Sequence, residues 1–420
     1  MRALEVEPGA VSPEAYRRFV QQVQRQGLIP DHLVHGEPYL ALNAVVLKSA
    51  EVAKLRALTE CFAAAFACAA ASLARNPSEL VNMGFPWVAA ELLANESPRT
   101  LLIGRFDFVC DESGRWWLLE FNADTPSGVR EATVADGLVF SMLPSARQLM
   151  QPSAGLLDSI ASAFRDACAD LGPGSALGLL TNAGELEDMA QMAFMRRLLT
   201  PALAHSGVEV VVGDIDNLRW THGGITLCGR RLGALYRCLP FETMLGTPAF
   251  AGIFDASASG SLRLLNGLGG LLQQHKGVMA WMYAHANDEG LFDDGQREAI
   301  LGHLPETWPI GAEHNAYDRD ALVAKQVFGR EGEEVFFGED TPEDAWETLQ
   351  QRRTYVAQRR VNVQAVDGVV QTSSGAAVMR GYVTVGCFIV NGRWGGFYSR
   401  FGGKITTSQA KWFATLAEGT

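Results

Sequence analysis

Residues 104–122 read GRFDFVCDESGRWWLLEFN, two runs around a turn, and both runs carry the period of two that suits a strand. Along the first, Phe106, Phe108 and Cys110 take one face, and Arg105, Asp107 and Val109 take the other. Along the second, Trp117, Leu119 and Phe121 form an apolar face opposite Trp116, Leu118, Glu120 and Asn122. Asp111-Glu112-Ser113-Gly114 has the composition of a tight turn. The spacing predicts a hairpin with Asp111 opposite Gly114, Arg105 across from Glu120, and Asp107 diagonal to Glu120. A cross-strand Arg105–Glu120 ion pair is the simplest use of such a face, but it gives Asp107 and Asn122 no role. Two carboxylates and an amide oxygen are hard ligands that suit Mg²⁺, commonly held by one or two carboxylates plus the phosphates of a nucleotide. An arginine beside them suits a developing oxyanion.

At 420 residues, 48% of them hydrophobic and 20% charged, the chain has room for two or three domains with buried cores. A net charge of −12 argues against general nucleic-acid binding and is compatible with a cationic small substrate. Seven scattered cysteines without a Cys-x-x-Cys pair predict a reduced, cytoplasmic protein. The N-terminal MRALEVEPGA lacks the pattern of a secretory signal, and the apolar run 62–74 is too short to span a bilayer, so no membrane is expected as a partner.

The order of segments predicts an α+β chain. Residues 1–80 read as a mostly helical N-terminal part, and 81–154 hold the hairpin. Within 155–261, ALGLLTNAGELEDMAQMAFMRRLLTPALAHSGVEVVVGD reads strand, loop, helix to about Gly207, strand: a β-α-β unit, followed by a hairpin in ITLCGRRLGALYRCLP. Residues 262–420 mix strands and helices, with a last helix expected around SQAKWFATLAE. In that part Lys325 ends an apolar strand and precedes Gly329-Arg330-Glu331-Gly332, a loop whose N–H groups can approach phosphate beside a lysine point charge. Gly-x-x-Gly hairpins also occur with no ligand, and the spacing leaves both readings open. There is no Walker motif and no GxGxxG.

In order along the chain, RFDF…LLEFNADTPSGVREA, ELEDMAQMAF, ALYRCLPFE, the Lys276 segment, VAKQVFGREG, YVAQ and GGFYSR resemble the glutathionylspermidine synthase family, from about residue 80 to the C-terminus. The resemblance implies an ATP-grasp fold with an inserted pre-ATP-grasp-like β-α-β domain, and ATP and Mg²⁺ as cofactors. It implies that Arg105, Asp107, Glu120 and Asn122 hold magnesium and the triphosphate, Asp107, Glu120 and Asn122 being the metal ligands. Lys276 and Lys325 would grip the nucleotide, the loop with Gly329, Arg330 and Gly332 would close on it, and Tyr355–Gln358 would be the strand whose Gln358 lies near the adenine hinge. Arg400, with Arg105, would stabilise the reacting centre. The acids Glu185, Glu187 and Asp188 would bind an amine, although acids opening a helix are expected for its dipole alone. Ser127, Arg237 and Glu242 would line the site of the carboxylate substrate. Family members usually carry Ser-Asn-Lys where this chain has Gln274-His275-Lys276, and the amidase domain of some members is not expected in this chain.

The chemistry implied is an ADP-forming carboxylate–amine ligation through an acyl phosphate. Its substrates would be an amino acid or peptide carboxylate, such as a glutamyl or glutathione-like one, and a polyamine or amino acid. Two other readings share the same platform: a catalytically silent ATP-binding scaffold, and a phosphotransferase that stops at the phosphorylated product. The sequence carries no sign of the oligomeric state.

Overall fold

The computed structural model describes residues 1–6, 11–30, 32–95, 101–172, 174–221, 224–244, 247–312, 317–330, 332 and 334–419. Helix α1 (Pro13–Gly27) precedes strand β1 (Leu40–Leu47) and the long helix α2 (Ser49–Ala74); the hairpin strands follow as β2 (Ile103–Cys110) and β3 (Trp116–Asn122). The middle of the chain supplies β4 (Ala176–Thr181), α3 (Leu186–Leu203), β5 (Glu209–Asp214) and β6 (Arg230–Arg237). Helix α4 (Lys276–Ala284) leads to β7 (Leu322–Gln326), β8 (Val335–Phe337) and β9 (Tyr355–Arg359). The C-terminal part supplies β10 (Ala365–Thr372), β11 (Gly375–Val390), β12 (Arg393–Gly402) and β13 (Lys411–Glu418).

These strands make three main sheets. The largest runs β1-β13-β12-β11-β2-β3, with β10 paired to β11, so strands from both ends of the sequence meet in it. The second contains parallel β6, β4 and β5 with α3 as the crossover, which is the expected β-α-β unit. In the third, β9 lies between β7 and Thr307–Pro309, with β8 on the outer side of β7.

Helix α2 is rich in alanine and leucine, good helix formers, and its Glu51 carboxylate accepts from the Lys48 N–H at 2.8 Å. Leu55, Phe62, Phe66, Ala69 and Leu73 recur at helical spacing and are buried. Phe62 and Phe66 pack on Phe106, Phe108 and Phe121 of the hairpin, each buried phenyl contributing roughly 2 kcal/mol. The 62–74 run is thus part of a 26-residue helix, long and apolar enough by length and composition to cross a membrane, with one face packed on the sheet.

Three local expectations are corrected. The hairpin pairs Arg105 with Asn122 and Asp107 with Glu120, then Phe108 with Leu118, so Leu119 is the extra residue of a β-bulge. That extra residue flips the parity between the two halves of β3. Trp116, Leu118 and Phe121 join Phe106, Phe108 and Cys110 in the core under α2, while Glu120 and Asn122 share the opposite face with Arg105 and Asp107. The turn closes one residue later than expected, with the Asp111 N–H donating to Arg115 O at 2.8 Å. Residues 411–418 form a strand instead of a helix, parallel to β1. Trp412 and Leu416 pack with Phe19 of α1 on one side and Phe413 packs in the α2 core on the other, so two cores override helix propensity. The segment 1–80, expected as mostly helical, also gives β1, whose residues are buried throughout.

Candidate active site

A cavity of about 620 Å³ lies between the polar face of the large sheet and the small sheet of β7–β9. Each wall is fixed by elements already described. The bulge holds Arg105, Asp107, Glu120 and Asn122 on one face; β7 and β9 bring Lys325 and Gln358; the first residue of α4 brings Lys276; β12 brings Tyr398 and Arg400; and the start of α3 brings Glu187 and Asp188.

Arg105 grips Asp107 with both branches of its guanidinium, Nε to Oδ1 at 2.7 Å and Nη2 to Oδ2 at 2.9 Å, and donates from Nη1 to Ser127 O at 2.7 Å. Asn122 Nδ2 bridges the carboxylates, at 3.0 Å from Asp107 Oδ2 and 3.3 Å from Glu120 Oε1. Lys276 Nζ lies 3.7 Å from Glu120 Oε2 and donates to Gly329 O at 2.7 Å. Lys325 Nζ donates to Gln358 Oε1 at 2.7 Å and to the carbonyl of the bulged Leu119 at 3.3 Å. Gln358, expected at an adenine hinge, thus has its amide turned to Lys325 and, through Nε2, to Thr307.

The charges act on one another. Burial and then the neighbouring Lys276 push Lys325 down to about 8, with Glu120 opposing. Burial also lowers Lys276, again opposed by Glu120. Burial would raise Glu120, but Lys276, Lys325 and Arg105 outweigh it and hold its carboxyl below the ordinary range. Among the described residues there is no group of three or more His, Cys, Asp or Glu side chains arranged for a metal. Two carboxylates and an amide on one face are still a hard-oxygen set, compatible with a Mg²⁺ whose remaining ligands are phosphate and water.

Gly386 of β11 lies directly opposite Asp107. A Cβ there would sit 2.7 Å from Arg105 Cδ and 3.0 Å from Asp107 Oδ1, so only glycine lets the ion pair lie flat across the sheet. Gly386→Val is expected to displace Arg105 and to destabilise the fold by about 1–3 kcal/mol. Thermal melting checks this, and a wild-type melting temperature would contradict the close approach.

The remaining expected residues divide. Ser127, Glu187, Asp188, Gly329, Arg330, Gly332 and Arg400 line the cavity. Glu187 pairs with Arg130, and Asp188 accepts from the Cys238 thiol at 3.3 Å. Arg400 donates to Thr407 O at 2.6 Å and lies over the Tyr39 ring. Three residues stand elsewhere. Glu185 is the exposed residue before α3 and is not part of the lining. Arg237 is buried behind the cavity, paired with Asp124 and stacked on Phe241. Glu242 accepts from Arg330 Nε at 2.6 Å and so anchors the glycine loop from outside the lining. Gly332 has φ of 73°, and a Cβ there would meet Ile405 and Thr406; Glu331 lies outside the described residues. Sequence reasoning missed Tyr39, Glu131, Gln191 and Tyr398, all cavity-lining.

The family model described as glutathionylspermidine synthase preATP-grasp matches residues 12–417. The chain belongs to that family. The match starts well before the motifs that begin near residue 80, so α1, β1 and α2 lie within it. Membership in a synthetase family makes ligation its class of chemistry and ATP-grasp its architecture. Among solved structures, a glutathione synthetase-like effector from Globodera pallida in the apo form aligns over 98% of this chain and 99% of its own, at 11% identity and a TM-score of 0.63. That is a shared fold. A candidate γ-glutamylcysteine synthetase from Methylobacillus flagellatus KT aligns over 81% of this chain and 83% of its own, at 9% identity and a TM-score of 0.44. No curated protein matches the chain.

At Gln274-His275-Lys276, where the resemblance leads one to expect Ser-Asn-Lys, His275 caps a helix. Its Nδ1 accepts from the Gly277 N–H at 3.0 Å and caps α4, which starts at Lys276. Burial, then the Lys276 charge, pushes His275 down from 6.5 to about 3. Across that window the unfolded chain takes up a proton that the folded chain refuses, so stability falls as pH drops. His275→Asn keeps a capping oxygen and removes the titration. Its melting temperature is expected to fall less than that of wild type between about pH 7 and about pH 5. Equal falls would contradict a buried neutral His275.

Proposed function

We propose that this chain is an ADP-forming carboxylate–amine ligase that works through an acyl phosphate. The observation that carries the reading is the meeting in one cavity of a hard-oxygen set, Asp107, Glu120 and Asn122, with Arg105, Lys276 and Lys325 from three separate segments. Asp107, Glu120 and Asn122 would hold magnesium, and Lys276 and Lys325 would position the triphosphate. Mg²⁺–ATP, when bound, supplies an electrophilic γ-phosphorus with part of its charge neutralised.

The chain's own residues orient and shield. Arg105 and Arg400 face the cavity as donors for the acyl phosphate and for the oxyanion formed on amine attack; one such donor is worth on the order of 3 kcal/mol of barrier. The loop carrying Gly329 and Gly332 would exclude water from an intermediate that hydrolyses readily. The substrates are small molecules: an amino acid or peptide carboxylate near Ser127, and an amine at the end of the cavity walled by Glu187 and Asp188.

The acyl phosphate is tested by isotope transfer. With a substrate carboxylate labelled with ¹⁸O, one label is expected in the inorganic phosphate released, because the C–O bond to the transferred phosphoryl group breaks when the amine attacks. Phosphate free of label would overturn the mechanism.

A further inference from the structure

Glu131 opens the π-helical turn Glu131–Ala135 that runs into the helix Asp136–Met142. It is 3% exposed and lines the cavity, yet its Oε2 has no hydrogen-bond partner. A buried carboxylate oxygen without a partner costs stability, so its retention points to a partner that arrives from outside. π-turns inside helices occur frequently at functional sites, and this one faces the cavity.

The surroundings suit a cation. The hydroxyls of Tyr39 and Tyr398 meet at 2.8 Å, and both side chains line the same cavity. Burial pushes both phenols above their ordinary value; Arg400 opposes the rise at both and Glu131 adds to it, and the net rise keeps them protonated and neutral. The other acids at this end are engaged: Glu187 by Arg130, Asp188 by the Cys238 thiol. Arg105 lies over the Tyr398 ring and Arg400 over the Tyr39 ring, so this corner adjoins the two cations assigned to the reacting carboxylate.

We propose that Glu131 receives the attacking substrate, a primary amine bound as its ammonium ion beside the Tyr39–Tyr398 pair, and takes one proton from it. This rests on the ligase reading above. One ammonium proton moves to Oε2, and the freed nitrogen lone pair forms the C–N bond to the acyl carbon. The bond from that carbon to the phosphate oxygen breaks, and the surplus proton on nitrogen leaves with phosphate as HPO₄²⁻. Glu131 then returns its proton to water.

The test compares two nucleophiles on the full chain. Hydroxylamine, uncharged at neutral pH, traps an acyl phosphate as a hydroxamate without needing a cation site. A diamine, a polyamine and glycine serve as charged amines, and glutamate and glutathione as carboxylates. In Glu131→Gln, amine-dependent turnover is expected to fall relative to hydroxamate formation by on the order of 10²-fold, with part of the loss recovered in Glu131→Asp. An unchanged ratio in Glu131→Gln would overturn the assignment. Equal loss of both reactions would reduce Glu131 to a structural residue and overturn it as well. Hydroxamate from wild type without turnover of any charged amine would also overturn it, while leaving the ligase site standing. No hydroxamate from wild type with either carboxylate would instead sink the ligase reading, and this assignment with it.

Discussion

Glu120→Gln is expected to lower ATP turnover by 10²-fold or more, of the order found when a group that stabilises transferring charge is lost. It removes one of the two carboxylates proposed to hold magnesium and the anion that offsets Lys276 and Lys325. Asp107→Asn is expected to cost as much activity but more stability. The Asp107 side chain is 9% exposed and grips a buried Arg105, whereas that of Glu120 is 31% exposed. Breaking a buried pair leaves an uncompensated charge, at roughly 3 kcal/mol or more, so Asp107→Asn melts lower than Glu120→Gln. Turnover assays with a magnesium titration, beside thermal melts, check both halves. Wild-type rates with ordinary magnesium dependence in either variant would remove the hairpin from the mechanism.

Lys325→Ala is expected to weaken ATP binding by about 2 kcal/mol, roughly 30-fold in Kd, the scale of a hydrogen bond to a charged group. It also changes the pH dependence. The ammonium of Lys325 is lost as pH rises through about 8, so wild-type affinity should decline above that pH, while Lys325→Ala should lack that decline. Calorimetry on either side of that value reads both effects. An unchanged Kd in the variant would take the strand before the glycine loop out of the nucleotide site.

How much of this was legible in the sequence differs by element. The β-α-β unit was, because Ala176–Thr181 and Glu209–Asp214 are apolar runs around a long helix closed by Gly207 in the left-handed region. The residues of the hairpin platform were legible, but their pairing was not. Nothing in WWLLEFN marks Leu119 as the inserted residue, and one such residue exchanges the faces on either side of it. Residues 411–418 read as helix because Lys, Ala and Leu are good helix formers; the strand is set by two cores built from distant segments. The Tyr39–Tyr398 contact spans 359 positions of sequence, and Glu131 sits in an ordinary-looking Arg-Glu-Ala. Periodicity carries no signal for either. Gly386 carries no sign of its role in the sequence, because its meaning lies in the Arg105 side chain it lets pass.

The most direct test of the central claim is ADP release from Mg²⁺–ATP with carboxylates and amines supplied singly and together, with the products weighed by mass spectrometry. The expected result is turnover only when an acid and an amine are both present, with a product lighter than their sum by one water. ADP released with a carboxylate alone, giving a stable phosphorylated product, would make the protein a phosphotransferase and contradict the account.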